Sequence, residues 1–184
     1  HSVDLTYTGF GQAHNIAINE GSGYAYPTGI KEKGLHILNI KDPMNPVLEL
    51  EYPENGYSHD AQVINYKGPD QNYHGKEIFI GSNEDRVVLV DVTNKLEPKL
   101  LSVFNYDHQY THQSWVTSDH KYILMGDEYD ELNIDFQLVN KTKTIIINIE
   151  DLENPKLHFN YLAKQMPSIT MDMLKVPISI LQVI

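Results

Sequence analysis

Along most of this chain, short apolar runs alternate with polar punctuation, and the runs read as strands. In the middle third they are His59–Tyr66, Lys76–Ile80, Arg86–Val92 and Lys99–Phe104. Val, Ile, Tyr and Phe dominate them, and GPD, GSNED and TNKLEP separate them, which is the chemistry of strands joined by turns. Between Leu5 and Tyr161 no stretch sustains a helical period. The runs VVLVDV and IIINI are apolar at odd and even positions alike, so they are predicted to lie between neighbouring sheets.

The pattern recurs. GLHILNIKDPMNP begins at Gly34, RVVLVDVTNKLEP at Arg86 and KTIIINIEDLENP at Lys143, each an apolar run, a polar turn and a proline. The prolines, Pro46, Pro98 and Pro155, are 52 and 57 residues apart and are expected to end the strands they follow. A second series runs ahead of the first: AHNIAI from Ala13, SHDAQVI from Ser58 and THQSWVT from Thr111. Its histidines, His14, His59 and His112, are 45 and 53 apart. Four short strands in a unit of roughly 40–50 residues predict an all-β fold of β-propeller blades. Three blades fall at about 10–55, 56–106 and 108–163. Propellers usually close with about 4–8 blades, so the chain is expected to be part of a larger ring, completed by further blades or by another chain.

SHDAQVINYKGPD, HGKEIFIGSNED, VVLVDVTNK, YTHQSWVTSDHKYILMGDEYDE and TKTIIINIEDLENP together resemble the LVIVD-repeat proteins, specifically the choice-of-anchor B domain. The motifs cover most of Leu5–Tyr161. The resemblance implies a β-propeller, exported and often held at a cell surface by varied anchors; it implies no chemistry. Residues 166–184 depart from the pattern, carrying three of the five Met and no Tyr, Gly or His. One back-translation of this tail, shifted by two bases, permits a DHN opening where a further blade would start. The tail is expected to be out of frame; the alternative is a genuine C-terminal helix or strand, with Ser168 as its cap.

Composition narrows the partners. Lys and Arg number 14 against 25 Asp and Glu, a formal charge of −11 that repels phosphate backbones and argues against nucleic acid. There is no cysteine, hence no disulfide and no thiolate metal site. No apolar run approaches the roughly 18 residues that span a bilayer. Asn140-Lys141-Thr142 is a glycosylation sequon, which fits an extracellular or cell-surface location; the fold class and the resemblance imply a protein, glycan or matrix partner.

In a propeller the first strand of each blade lines the central channel, and the second returns to the same end. His14, His59 and His112 are therefore expected around one channel mouth, joined by Glu84, Asp127 and Glu128 from the ends of the second strands. Asp130 and Glu131 fall further into the next loop, where solvation is expected. Imidazoles with carboxylates suit a divalent metal such as Zn, Mn, Fe or Ni, whereas oxygen-only sets suit Ca or Mg. Two readings stay open: a metal site, binding or catalytic, or histidines that bond neighbouring backbone and lock the channel. For His14 the scaffold role is favoured, because its unit offers Thr28 where the others offer an acid. His108 and Tyr110 lead into the Thr111 strand and can line the same mouth. His36 and His158 are expected at a surface or edge, and His74 and His120 in solvated loops. Trp115 is expected between blades. Asp60 is expected to brace a neighbouring blade. Ser58 and Ser114 flank histidines, but no nucleophile-elbow motif supports either as a nucleophile.

Overall fold

The computed structural model describes residues 5–30, 34–132 and 141–163. The Asn140 sequon and the 166–184 tail lie outside the described residues. Those described form an all-β structure of three four-stranded antiparallel sheets, each a sequential meander. The first sheet holds β1 (Asn15–Asn19), β2 (Tyr24–Thr28), β3 (Leu35–Asn39) and β4 (Val47–Tyr52). The second holds β5 (Asp60–Asn65), β6 (Glu77–Ser82), β7 (Val87–Asp91) and β8 (Lys99–Phe104). The third holds β9 (Thr111–Val116), β10 (Tyr122–Asp127), β11 (Lys143–Asn148) and β12 (Lys156–Leu162). Pro53–Asn55 make one 3-10 turn. Among the described residues no helix is long and apolar enough to cross a membrane.

Two cores explain the apolar run VVLVDV, whereas in IIINI the outward Ile146 packs with Leu124, Tyr122 and Tyr161 of its own sheet and does not lie between sheets. On β6 and β7, Ile78, Ile80 and Leu89 meet Ile123, Met125 and Ile145 of the third sheet. Their neighbours Phe79, Val88 and Val90 meet Tyr26, Leu35 and Ile37 of the first. Because strand side chains alternate faces, a sheet covered on both sides must be apolar at every position. Each such side chain contributes about 1.5–3 kcal/mol by leaving water. The first strands are neighbours, β1 beside β5 and β5 beside β9. The sheets thus stack as successive blades, and their histidine-bearing ends come together.

Polar bonds fix the stacking. Asn15 donates from Nδ2 to Asp60 Oδ1 (2.8 Å), so Asp60 braces the neighbouring sheet as expected. The backbone N–H of Gly29 reaches Ser58 O (2.7 Å), and that of Val116 reaches Gln62 Oε1 (2.8 Å). The loop after β6 pairs with the start of β9 through a bridge between Glu84 and Thr111.

Several expectations are corrected. Pro46, Pro98 and Pro155 do not end the third strands; they stand immediately before the fourth strands, at the sheet edge where a missing N–H is harmless. What turns the chain is an Asx residue in each blade. Asp42 Oδ1 accepts the N–H of Met44, Asn94 Oδ1 that of Leu96, and Asp151 Oδ1 that of Glu153. Trp115 is not packed between blades: it is 65% exposed, on the face of the third sheet turned away from the second, level with Leu124 of β10. His36 is not at a surface. It is buried, with Phe10 against its ring (6.0 Å) and Glu51 3.4 Å from Nε2, because the segment before β1 folds over the first sheet. His158 and His74 are exposed. His120 is more than solvated, since its Nδ1 accepts the Lys67 N–H (3.0 Å) and ties two sheets together. Asp130, expected in solvent, is instead buried, where its Oδ2 accepts the Lys143 N–H (2.8 Å).

Candidate metal site

The three strand-opening histidines stand side by side. His14 immediately precedes β1 and donates its backbone N–H to Thr28 O (2.7 Å). His59 occupies the matching place before β5, held by Ser82 O (2.8 Å). His112 lies within β9, at a bulge. Thr111 pairs with Asp127 and Gln113 with Gly126, leaving His112 as the additional residue on its strand. Such a bulge re-aims a side chain that regular pairing would hold in register. The imidazoles form a row: ring centroids of His14 and His59 are 4.2 Å apart, and those of His59 and His112 are 4.9 Å apart.

The carboxylates sort themselves by what they touch. Glu128 directly follows β10, and its N–H bonds to Tyr110 O (3.0 Å), which draws it beside β9. One ligand atom each from His59, His112 and Glu128 lies within 4.8 Å of the others, and all three residues are half-buried. Asp127 is buried and turned to the backbone, its oxygens accepting N–H groups of Gln109 (2.6 Å), Tyr110 (2.8 Å) and Tyr129 (3.3 Å). It stands apart from the three-residue cluster and shapes the loop that delivers Tyr110. Glu84, exposed and in a left-handed conformation (φ 55°), accepts the Tyr110 hydroxyl at 3.0 Å and also lies outside the cluster. His14 is exposed and stacks on His59 without joining the cluster; Thr28 donates from Oγ1 to His59 O (3.1 Å).

Local electrostatics favour neutral imidazole. Burial, then the proximity of His14 and of His112, lowers the pKa of His59, with Glu128 and Asp60 opposing. The Nε2 of His59 is buried and has no hydrogen-bond partner among the described residues. An unpartnered buried acceptor costs about 1–3 kcal/mol, and a bound cation would satisfy it. Burial, followed by the hydrogen bond to Glu84, pushes the Tyr110 phenol well above its ordinary value.

Tyr110 is the residue that sequence patterning placed only loosely at this mouth. Its hydroxyl is 3.0 Å from His59 Nδ1, and its ring lies edge-on to the imidazole at 5.2 Å. His108 instead turns to Tyr106, its Nδ1 3.0 Å from Tyr106 O. Ser58 is buried in a network with Asn55 and Asn83, which fits the absence of a nucleophile motif. Searches with this chain find no matching family model and no matching curated protein.

Proposed function

We propose that this chain belongs to an exported or cell-surface β-propeller of the LVIVD-repeat kind. It acts as a binding or structural module and holds a divalent transition metal where its first strands meet. The observation that carries the metal is the convergence of His59, His112 and Glu128 within 4.8 Å. The unsatisfied His59 Nε2 supports it. Two imidazoles and one carboxylate suit Zn, Mn, Fe or Ni better than Ca or Mg.

The propeller reading rests on the recurrence of one strand–Asx turn–proline unit in three stacked sheets. The third sheet's outward face supports a ring continued by further blades or another chain, since Trp115 and Phe159 are 65% and 39% exposed there. A protein, glycan or matrix partner then engages the mouth, and nucleic acid is disfavoured by the charge of −11.

A second reading, a metal-dependent enzyme, is favoured by the ligand count. Three protein ligands leave a coordination position for water or substrate, and a metal there would lower the pKa of that water.

The test is calorimetric titration of metal-free protein with Zn²⁺ and with Mn²⁺, alongside the His59→Ala/His112→Ala double variant. One ion per chain, lost in a folded variant, supports the site. At a free metal concentration of 100 Kd the gain is about 2.7 kcal/mol, a rise of roughly 5–10 °C in Tm for a chain this size. Absence of binding with unaltered variant stability refutes the site. A variant that unfolds, in a protein that never binds metal, assigns the histidines to the scaffold. Hydrolysis of ester or phosphoester substrates only by the loaded protein would select the enzyme reading.

A further inference from the structure

Tyr110 connects the cluster to a carboxylate outside it, and proton counting makes that connection directional. Its hydroxyl oxygen is 3.0 Å from Glu84 Oε1 and 3.0 Å from His59 Nδ1. A phenol has one proton, and a carboxylate only accepts. The proton therefore goes to Glu84, and the phenolic oxygen accepts from His59. For that bond to exist, His59 must carry its proton on Nδ1, leaving Nε2 with a bare lone pair. Nε2 is the atom that is buried without a hydrogen-bond partner among the described residues.

We infer that Glu84 and Tyr110 are positioning residues that hold His59 as its Nδ1–H tautomer, with Nε2 presented to a cation shared with His112 and Glu128. The inference rests on the metal reading above and gives Glu84 a role one bond further out than a ligand. Two features of the fold support the arrangement. Tyr110 is pinned through its backbone N–H to Asp127 Oδ1 (2.8 Å). Glu84 is pinned by its pairing with Thr111, which brings together a loop of the second sheet and the loop that enters β9. The relay thus spans two sheets, and neither sheet alone sets the tautomer. Outer partners of this kind fix ring orientation and raise ligand basicity, and their loss typically weakens metal affinity about 10–100-fold.

The tautomer can be read without any metal. Imidazole nitrogen shifts of ¹⁵N-labelled, metal-free protein are recorded near pH 7.5, with the His59→Gln variant identifying the His59 signals. The expected result is a protonated Nδ1 and an unprotonated Nε2 in the wild type. That bias is lost in Glu84→Ala, where the phenol is free to donate to His59, and in Tyr110→Phe. Glu84→Gln retains an acceptor for the phenol and keeps the Nδ1–H ring, whereas Glu84→Met, of similar size but with no such acceptor, loses it, a split that a merely steric role for Glu84 would not predict. In zinc titrations, Glu84→Ala falls about 10–100-fold in affinity, and Glu84→Gln stays near the wild type. An Nε2–H ring in the wild type overturns the relay even if zinc binds. Unchanged zinc affinity in Glu84→Ala overturns the positioning role. Failure of the wild type to bind zinc, with the ring Nδ1–H, removes the metal reading and leaves the proton assignment standing.

Discussion

The contact that holds the first and second sheets in register can be tested at Lys95. Glu77 of β6 is buried, and its carboxylate collects three donors. Tyr26 Oη (2.5 Å) and Ser22 Oγ (3.0 Å) reach Oε1 from the first sheet, and Lys95 Nζ reaches Oε2 at 2.9 Å. Lys95 is the cation in that set, only 10% exposed, and also donates to Val92 O (2.7 Å). In Lys95→Met an apolar stem of similar length persists, while the charge, whose Nζ also lies 4.8 Å from the centre of the Tyr24 ring, disappears. Removing one partner of a buried ion pair costs about 3–5 kcal/mol. Two neutral donors remain on Glu77, so the lower end applies. The expected loss is about 3 kcal/mol, or roughly 6–12 °C in Tm. Glu77→Gln in the same background should recover more than half. Thermal melts decide it. A loss below about 1 kcal/mol, or a double variant no more stable than Lys95→Met, refutes a charge-based weld.

Two further outcomes are expected. Asp130 is buried, and its Oδ2 accepts the Lys143 N–H at 2.8 Å; burial first, then the hydrogen bond with Glu131, raises its carboxyl from 3.8 to about 7. A raised value in the folded state means that stability is fullest below pH 3.8 and is lost as pH rises through about 7. Asp130→Asn should therefore stabilise the protein more at pH 8 than at pH 5 in thermal melts, and an equal effect at both would count against the burial argument. Trp115, the single tryptophan, should show red-shifted emission open to acrylamide quenching, whereas protected, blue-shifted emission from this chain alone would contradict its exposed position.

How much of this was legible in the sequence follows from which interactions are local. The strands of the second sheet could be read because period, turn residues and β-branched runs all act within a few residues. The doubly apolar run VVLVDV correctly announced a sheet covered on both faces, whereas IIINI lies in the third sheet, whose outer face no neighbouring sheet among the described residues covers. Trp115 was misplaced because the same apolar signal marks a face that a neighbour covers and a face that none of the described residues covers. The prolines were assigned to the wrong strand end because their missing N–H is compatible with either; the Asx turns decide it. At the site, repetition was enough to align His14, His59 and His112. Residue type could not tell that Asp127 spends its oxygens on three backbone N–H groups while Glu128, one residue later, faces the imidazoles. Nor could it find the Tyr110–His59 bond, which joins positions 51 apart through a loop with no period.

The candidate site belongs to no single sheet, and this links its chemistry to the way the chain is held together. His59 comes from the second sheet, while His112 and Glu128 come from the third. Their spacing is set by the Glu84–Thr111 bridge, the Gln62–Val116 bond and the core of Ile78, Ile80 and Met125 beneath them. His14 leans on the same ring from the first sheet, whose own position depends on Gly29, Asp60 and Glu77. A glycine is required at position 29: at φ +72° an added Cβ would stand 2.2 Å from His14 Cβ and drive that imidazole off His59. Docking the sheets and assembling the ligands are therefore one event. A metal that binds only the docked arrangement would stabilise the docking by RT ln(1 + M/Kd), with M the free metal concentration. An ion bound at the strand ends would therefore act as a clamp between neighbouring sheets.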